Sequence, residues 1–120
     1  MFNYKQNYQN AIQSIKIEIG DLLGCEKKEE AFVELKEMRT GLVMEMKRAQ
    51  EKGDDEMIPF FQKILPEIIV SHNLYMDEEK KMTKEEVTNL IFDKVELTMR
   101  VIQEYSQMSF FHQGKKKGNK

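Results

Sequence analysis

Apolar residues recur at spacings of three and four along most of the chain, which is the period of an amphipathic helix. The first such stripe predicts a helix over about 5–23, for which Gly24 is a suitable C-terminal stop. The residues of this stripe are Tyr8, Ile12, Ile15, Ile19 and Leu22.

The second stripe predicts a helix over about 28–52, and Gly53 can adopt the left-handed conformation that ends it. Its members are Phe32, Leu35, Met38, Leu42, Met46 and Ala49. Gly41 lies inside this segment, where a glycine costs roughly 1 kcal/mol relative to alanine. Either a close helix crossing or simple tolerance would account for it.

The stretch EKGDDEMIPFFQKILPEI places three acids before an apolar run that contains two prolines. Helical spacing persists beyond this run and predicts a third helix over about 55–75. A carboxylate of Asp54 or Asp55 would cap its N-terminus, where acids also meet the positive end of the helix dipole. Pro59 would then lie near the helix start, whereas Pro66 predicts a kink in the interior.

The clearest boundary signal is MTKEEV, in which Thr83 and Glu86 have the spacing of a capping box. It predicts a fourth helix over about 84–108. The apolar face of this helix consists of Val87, Leu90, Ile91, Val95, Ile102 and Tyr105. We find no alternating strand pattern of useful length. The sequence therefore predicts an all-α fold, a single bundle of four main helices with a proline kink near Pro66.

A chain of 120 residues is the size of one domain. We expect residues 1–113 to form the bundle and residues 114–120 to be a disordered, lysine-rich tail. No apolar run approaches the roughly 20 residues that span a bilayer, and the N-terminus lacks the layout of a signal peptide. These features predict a cytoplasmic protein without a membrane partner.

Charge is distributed unevenly along the chain. Four lysines lie in the tail, and removing them leaves 15 basic residues against 21 acidic ones, which is about −6. Such a body is unlike the clustered basic face of a nucleic-acid binder, so DNA is not expected as a partner. Lys115, Lys116 and Lys117 are either solvated or contact phosphates, and the sequence leaves both readings open.

Residues that could carry chemistry are few. Cys25 is the single cysteine, and His72 and His112 are forty residues apart in no metal-ligand spacing. We expect His72 to face solvent or to be hydrogen-bonded late in the third helix. The acid run 54–56 has no histidine near it, and the sequence has no phosphate-binding loop or nucleophile motif. The sequence therefore predicts no catalytic residue, metal site or cofactor, and a protein that is not an enzyme.

The end of the fourth predicted helix, YSQMSFFH, is strongly apolar. In one interpretation Met108, Phe110 and Phe111 fold back onto the bundle and close it. In the other they are an exposed apolar anchor for a partner, of the kind found at interface hot spots.

Two stretches resemble a known family. Residues 45–68, EMKRAQEKGDDEMIPFFQKILPEI, and residues 82–105, MTKEEVTNLIFDKVELTMRVIQEY, are similar to consecutive signatures of the GatB/YqeY helical domain. The resemblance implies a compact helical bundle, found alone and as the tail of the B subunit of tRNA-dependent amidotransferases, where it is associated with tRNA and is not catalytic.

The chain departs from the family pattern at three places. Gln62 stands where the family commonly has arginine, and Glu96–Met99 replace an expected basic segment, which leaves Arg100. The second helical half of the family domain is absent, and residues 1–40 are an extra piece in front.

Two functional hypotheses follow. The first is a non-catalytic protein-binding module that docks on a larger protein partner and modulates or inhibits it, one version being a bacteriophage or mobile-element inhibitor of a host defence protein. The alternative is a tRNA-associated accessory domain, as the family resemblance implies.

Overall fold

The computed structural model of the protein describes residues 1–8 and 11–108. Within them the chain combines a sheet with helices, so the prediction of an all-α bundle is wrong. The strands are β1 (Ser14–Glu18), β2 (Phe32–Lys36) and β3 (Ile69–His72). The α-helices are α1 (Thr40–Lys52), α2 (Asp54–Ile68), α3 (Lys84–Asp93) and α4 (Val95–Tyr105). Short turns of 3-10 helix at Gly20–Leu23 and Lys28–Glu30 connect β1 to β2, and a π-helical turn covers Tyr4–Tyr8.

The three strands form an antiparallel sheet in the order β1-β2-β3. One face of the sheet supplies Ile17, Val33 and Leu35, each 0% exposed, to a hydrophobic core shared with the four helices. On the other face, the Glu34 carboxylate accepts hydrogen bonds from the hydroxyls of Ser14 (2.6 Å) and Ser71 (3.1 Å). This single acid therefore ties all three strands together.

The first predicted helix is replaced by β1 and the 3-10 turn that follows it. Ile15, Ile17 and Ile19 alternate with polar residues, and this period of two puts all three on the core side. The helical stripe had left out Ile17, although β-branched side chains favour strands. Gly24, with φ 88°, ends the short 3-10 turn. It was predicted to end a long helix, so it is a stop signal but terminates a different element.

The second predicted helix is also partly a strand. Val33 and Leu35 alternate with outward-facing residues in β2, and the helix begins only at Thr40. Gly41 lies in the first turn of α1, exposed, and a methyl group there would meet nothing closer than the Arg39 guanidinium at 3.6 Å. Simple tolerance, rather than a close helix crossing, therefore accounts for this glycine.

Gly53 joins α1 to α2 as the only residue between them. Its φ of 103° is the positive value that glycine adopts without strain, and its carbonyl accepts from the amides of Glu56 and Met57, both at 3.1 Å. The predicted N-cap at Asp54 or Asp55 is wrong, because Gly53 occupies that position. The acids instead fill the first turn of α2, where the helix dipole favours them.

The third predicted helix is too long. α2 ends at Ile68 and the chain continues directly into β3, whereas the prediction ran to residue 75. Pro66 therefore lies in the last turn of α2. The missing N–H of Pro66 removes one hydrogen bond close to the point where the helix ends.

The fourth predicted helix is two helices. Thr83 and Glu86 form the predicted capping box at the start of α3, with bonds of 3.1 and 2.8 Å, so this prediction is confirmed. The helix breaks at Lys94, whose backbone is extended. The buried Thr98 hydroxyl donates to the Ile91 carbonyl at 2.7 Å, which satisfies a group that the break has deprived of its helical partner.

The turn after β1 is attached to α4 by an ion pair. The Arg100 guanidinium donates to both carboxylate oxygens of Asp21, at 2.7 and 2.8 Å, and to the Glu18 carbonyl at 3.1 Å. The bidentate geometry fixes the orientation of the turn on the helix. The hydrogen bond from Arg100 lowers the pKa of the Asp21 carboxyl from its usual 3.8 to about 2.

Because of this ion pair, we expect the protein to lose stability at acidic pH. Because the folded-state pKa of Asp21 is depressed, its contribution is present above pH 3.8 and is lost as the pH falls towards 2. A carboxyl-detected NMR titration should give a pKa of about 2 for Asp21 in the wild type and a value nearer 3.8 in Arg100→Gln. An unchanged pKa in Arg100→Gln would contradict this assignment.

Candidate protein-binding groove

A groove of about 500 Å3 lies where the end of β2 meets the start of α1. It is bounded by the N-terminal turn, the β2–α1 connection and the end of α2. The lining residues are Tyr4, Tyr8, Ile12, Lys36, Glu37, Met38, Arg39, Thr40, Leu42, Glu67 and Ile68. We refer to this site below as the groove.

Three apolar lining residues, which we call the floor of the groove, belong to the hydrophobic core. Met38, Leu42 and Ile68 are 4%, 5% and 2% exposed and belong to the hydrophobic core. Met38 follows β2, Leu42 lies in the first turn of α1, and Ile68 is the last residue of α2. Their packing in the core fixes their positions. An apolar group entering the groove would contact the edge of the core.

One wall consists of two exposed aromatic rings. Tyr4 and Tyr8 are one helical turn apart and stack with ring centroids 5.3 Å apart and planes at 14°. They remain 62% and 48% exposed, although tyrosines usually bury much of their ring. Tyrosine offers a large apolar surface at low conformational cost together with a hydroxyl, which suits it to protein contacts.

The rim carries charges of both signs. Two basic residues, Lys36 and Arg39, and two acidic residues, Glu37 and Glu67, are among the lining residues. The Glu37 carboxylate also accepts the backbone N–H of Gln13 at 2.9 Å, which ties the segment before β1 to the end of β2. The groove therefore combines apolar side chains with charged side chains of both signs.

Met108 is 6% exposed and packs in the hydrophobic core, so it is not available as a surface anchor. The neighbouring Tyr105 is 0% exposed, and its hydroxyl donates to the Lys36 carbonyl at 2.8 Å. Burial, together with the charge of Glu37, raises the pKa of the Tyr105 phenol. The end of α4 therefore lies beside the groove.

The remaining predicted contact residues lie outside the described residues. These are Phe110, Phe111, Lys115, Lys116 and Lys117. Asp54, Asp55 and Glu56 are exposed on the first turn of α2. Among the described residues, no group of three histidine, cysteine or acidic side chains is arranged to hold a metal ion.

His72 has a structural role in the sheet, whereas the sequence had placed it in a helix. It is 7% exposed on β3, and its Nδ1 accepts the backbone N–H of Leu74 at 3.0 Å. Burial and the charge of Lys81 lower the pKa of the imidazole below its usual 6.5. The neutral ring is therefore the form that fits the fold.

Protonation of His72 should destabilise the protein. Because its folded-state pKa is depressed, the stability it contributes is complete above pH 6.5 and falls as the pH decreases below that value. In His72→Asn, the amide oxygen can still accept the N–H two residues on but does not titrate. Urea unfolding at pH 7.5 and 5.5 measures how far the free energy of unfolding falls between these pH values. The fall should be smaller in His72→Asn than in the wild type. An equal loss would contradict this role.

The sequence pattern does not reveal the groove, because the residues that line it are distant in the chain. The one local signal is the spacing of Tyr4 and Tyr8, which puts two aromatic rings on the same side of a helical turn. Tyr8 also fits the helical stripe that predicts the first helix, and this hides the signal.

No helix in the described part of the chain is long and apolar enough to cross a membrane. Comparison with protein-family models, with curated proteins and with solved structures found no match to this chain. The resemblance to the GatB/YqeY domain therefore stays a prediction.

Proposed function

We propose that this protein is a non-catalytic protein-binding module that receives an apolar segment of a larger protein partner in the groove. The observation that carries the proposal is the pairing of the buried floor with the stacked, exposed rings of Tyr4 and Tyr8. Exposed aromatic side chains beside a concave surface are typical of binding hot spots.

The groove supports binding rather than chemistry. Its titratable groups are lysine, arginine, glutamate and tyrosine side chains at the rim and wall, and its floor is methionine, leucine and isoleucine. A partner segment would place one or two large apolar side chains on the floor and its polar backbone against the charged rim. Modulation or inhibition of the partner would follow from covering that segment.

A bacteriophage or mobile-element inhibitor of a host defence protein is one version of this proposal. The tRNA-associated alternative would need contacts to RNA phosphates, which basic residues supply. The four charged residues of the groove are two basic and two acidic, so they provide no excess of positive charge. We therefore treat tRNA binding as an outcome of the test below.

The test is affinity purification from bacterial lysate with variants matched for exposure. Tyr4→Ala/Tyr8→Ala removes the aromatic wall without touching the core, and Tyr75→Ala removes a tyrosine that is 55% exposed outside the groove. We expect a stoichiometric protein partner with the wild type and with Tyr75→Ala, and at least about tenfold lower recovery with the double variant.

Half of each sample is treated with nuclease. Recovery that depends on RNA would favour the tRNA-associated alternative. A protein partner that the double variant retains in full would show that binding does not use the groove.

A further inference from the structure

We propose that two copies of this chain exchange α4, through a straightening of the single-residue hinge at Lys94 that joins α3 to α4. The partner on this surface is therefore a second copy of the same protein. The exchange does not depend on the function proposed for the groove.

The helical pattern of α3 continues into α4 across the hinge. Positions at spacings of three and four run from one helix into the other, and neither glycine nor proline stands at residues 93–95. These positions are Val87, Ile91, Val95, Thr98, Ile102 and Tyr105. The sequence of the junction therefore suits a continuous helix as well as a broken one.

The break leaves local interactions unmade. Val95 is 77% exposed, and the amides of residues 95–97 lack their helical partners, the carbonyls of residues 91–93. The Thr98 hydroxyl compensates one of these carbonyls, that of Ile91, at 2.7 Å. A straight helix would make the three missing hydrogen bonds. It would also place Val95 on the same face as Ile91 and Thr98.

The contacts that hold α4 can be supplied in the same form by a second copy. The Tyr105 ring meets the Phe61 ring with centroids 6.0 Å apart, and its hydroxyl donates to the Lys36 carbonyl at 2.8 Å. Arg100 pairs with both carboxylate oxygens of Asp21. All of these partners precede the hinge in the chain. Exchange therefore moves these contacts between copies without losing them.

The balance between the two forms depends on concentration. The exchanged dimer gains the hydrogen bonds of two straightened hinges, whereas the separate copies keep their translational and rotational freedom. Lys94 is the only residue between the two helices, with φ −132° and ψ 125°. Short connections of this kind favour exchange over a return of the chain onto its own body.

Exchange would make each groove depend on both copies. The hydroxyl that bonds the carbonyl of Lys36, a groove residue, would come from Tyr105 of the other copy. The dimer would then present two grooves to a partner at once, which raises the affinity for a partner with two matching segments. This consequence, unlike the exchange itself, rests on the proposed function.

The ion pair between Asp21 and Arg100 provides the test, because exchange turns it into a contact between copies. Asp21→Arg places two arginines at this pair and Arg100→Asp places two aspartates, so each variant alone has like charges there. In an exchanged heterodimer of the two variants, both pairs are again of opposite charge. The two variants are unfolded in urea, mixed in equal amounts and refolded by dilution. Native mass spectrometry then distinguishes heterodimer from homodimer by mass.

We expect the heterodimer to be at least about tenfold more abundant than the homodimer of either variant. A mixture without heterodimer overturns the inference. So does a heterodimer that forms at once when the folded variants are mixed, or one that dissociates in about 1 M salt. Either behaviour would mean that oppositely charged surfaces dock without exchange.

The hinge residue itself gives a second, matched pair of variants. Lys94→Ala and Lys94→Gly both remove the ammonium group that donates to the Leu22 carbonyl at 3.2 Å, and they leave the core contacts of α4 intact. Inside a helix, alanine is favoured over glycine by about a factor of 5, so two hinges should make the dimer association constant about 25-fold larger for Lys94→Ala. Light scattering on a dilution series of refolded protein measures both constants.

The wild type should also dimerise when it is refolded at high concentration, because lysine is nearly as good a helix former as alanine. Equal association constants for Lys94→Ala and Lys94→Gly would overturn the inference, as would a wild type that stays monomeric. This pair of variants also decides the matter if a charge variant fails to fold.

Discussion

Replacing Phe61 by alanine is expected to lower the free energy of unfolding by about 4 kcal/mol. Phe61 is 0% exposed in α2, and its ring meets the Tyr105 ring edge-on with centroids 6.0 Å apart and planes at 88°. The substitution removes the contact that joins α2 to α4 and leaves a cavity in the core. For a domain whose total stability is typically about 5–15 kcal/mol, this loss approaches unfolding.

The neighbouring Phe60 is the matched control. It is partly exposed and lies at the edge of the core. The centroid of its ring is 5.7 Å from that of the Phe61 ring. Phe60→Ala should cost only about 1 kcal/mol, because water already reaches part of the ring. Urea unfolding of the two variants measures both values. Equal losses would mean that the core does not depend on the Phe61–Tyr105 contact.

Gly20→Ala is expected to destabilise the protein by about 3 kcal/mol through overpacking. Gly20 is buried at the start of the 3-10 turn after β1, where a methyl group would collide with the backbone carbonyl of Lys27 and lie 2.8 Å from that of Lys28. Backbone atoms of the second 3-10 turn can move only if that turn separates from the first.

Gly41→Ala is the control for a glycine that has room. Its added methyl group would meet only the flexible Arg39 side chain, at 3.6 Å, and Gly41 lies in a helix. This variant should gain about 0.5 kcal/mol, because alanine loses less backbone entropy than glycine. The melting temperature of Gly20→Ala should be lower than that of the wild type, and the melting temperature of Gly41→Ala should be higher. A Gly20→Ala melting temperature equal to that of the wild type would show that the two turns are not in contact.

Local signals predicted much of the helical part correctly. The capping box at Thr83 and Glu86 starts α3, and the stop at Gly53 ends α1, because both depend on residues that lie within one turn of each other. The acid run before Pro59 was correctly interpreted as the beginning of a helix. The identity of its N-cap and the end of the helix were wrong.

The strands were missed because short apolar segments satisfy two periods at once. In and around β1, Ile12, Ile15 and Ile19 fit spacings of three and four if Ile17 is ignored. Ile15, Ile17 and Ile19 fit a spacing of two if it is included. A strand of five residues gains its stability from partners elsewhere in the chain, here β2 and the helices behind it. No local signal carries that information.

The sequence by itself determined the end of α1 at Gly53 and the start of α3 at Thr83. It also determined that the three acids lie at the start of α2. Tertiary structure alone decided that the segments of β1, β2 and β3 would pair into one sheet. It also decided that Tyr4, Leu42 and Ile68 would meet around one groove. The physical reason is that helix caps depend on neighbouring residues, whereas sheets and grooves depend on contacts between segments that the sequence holds far apart.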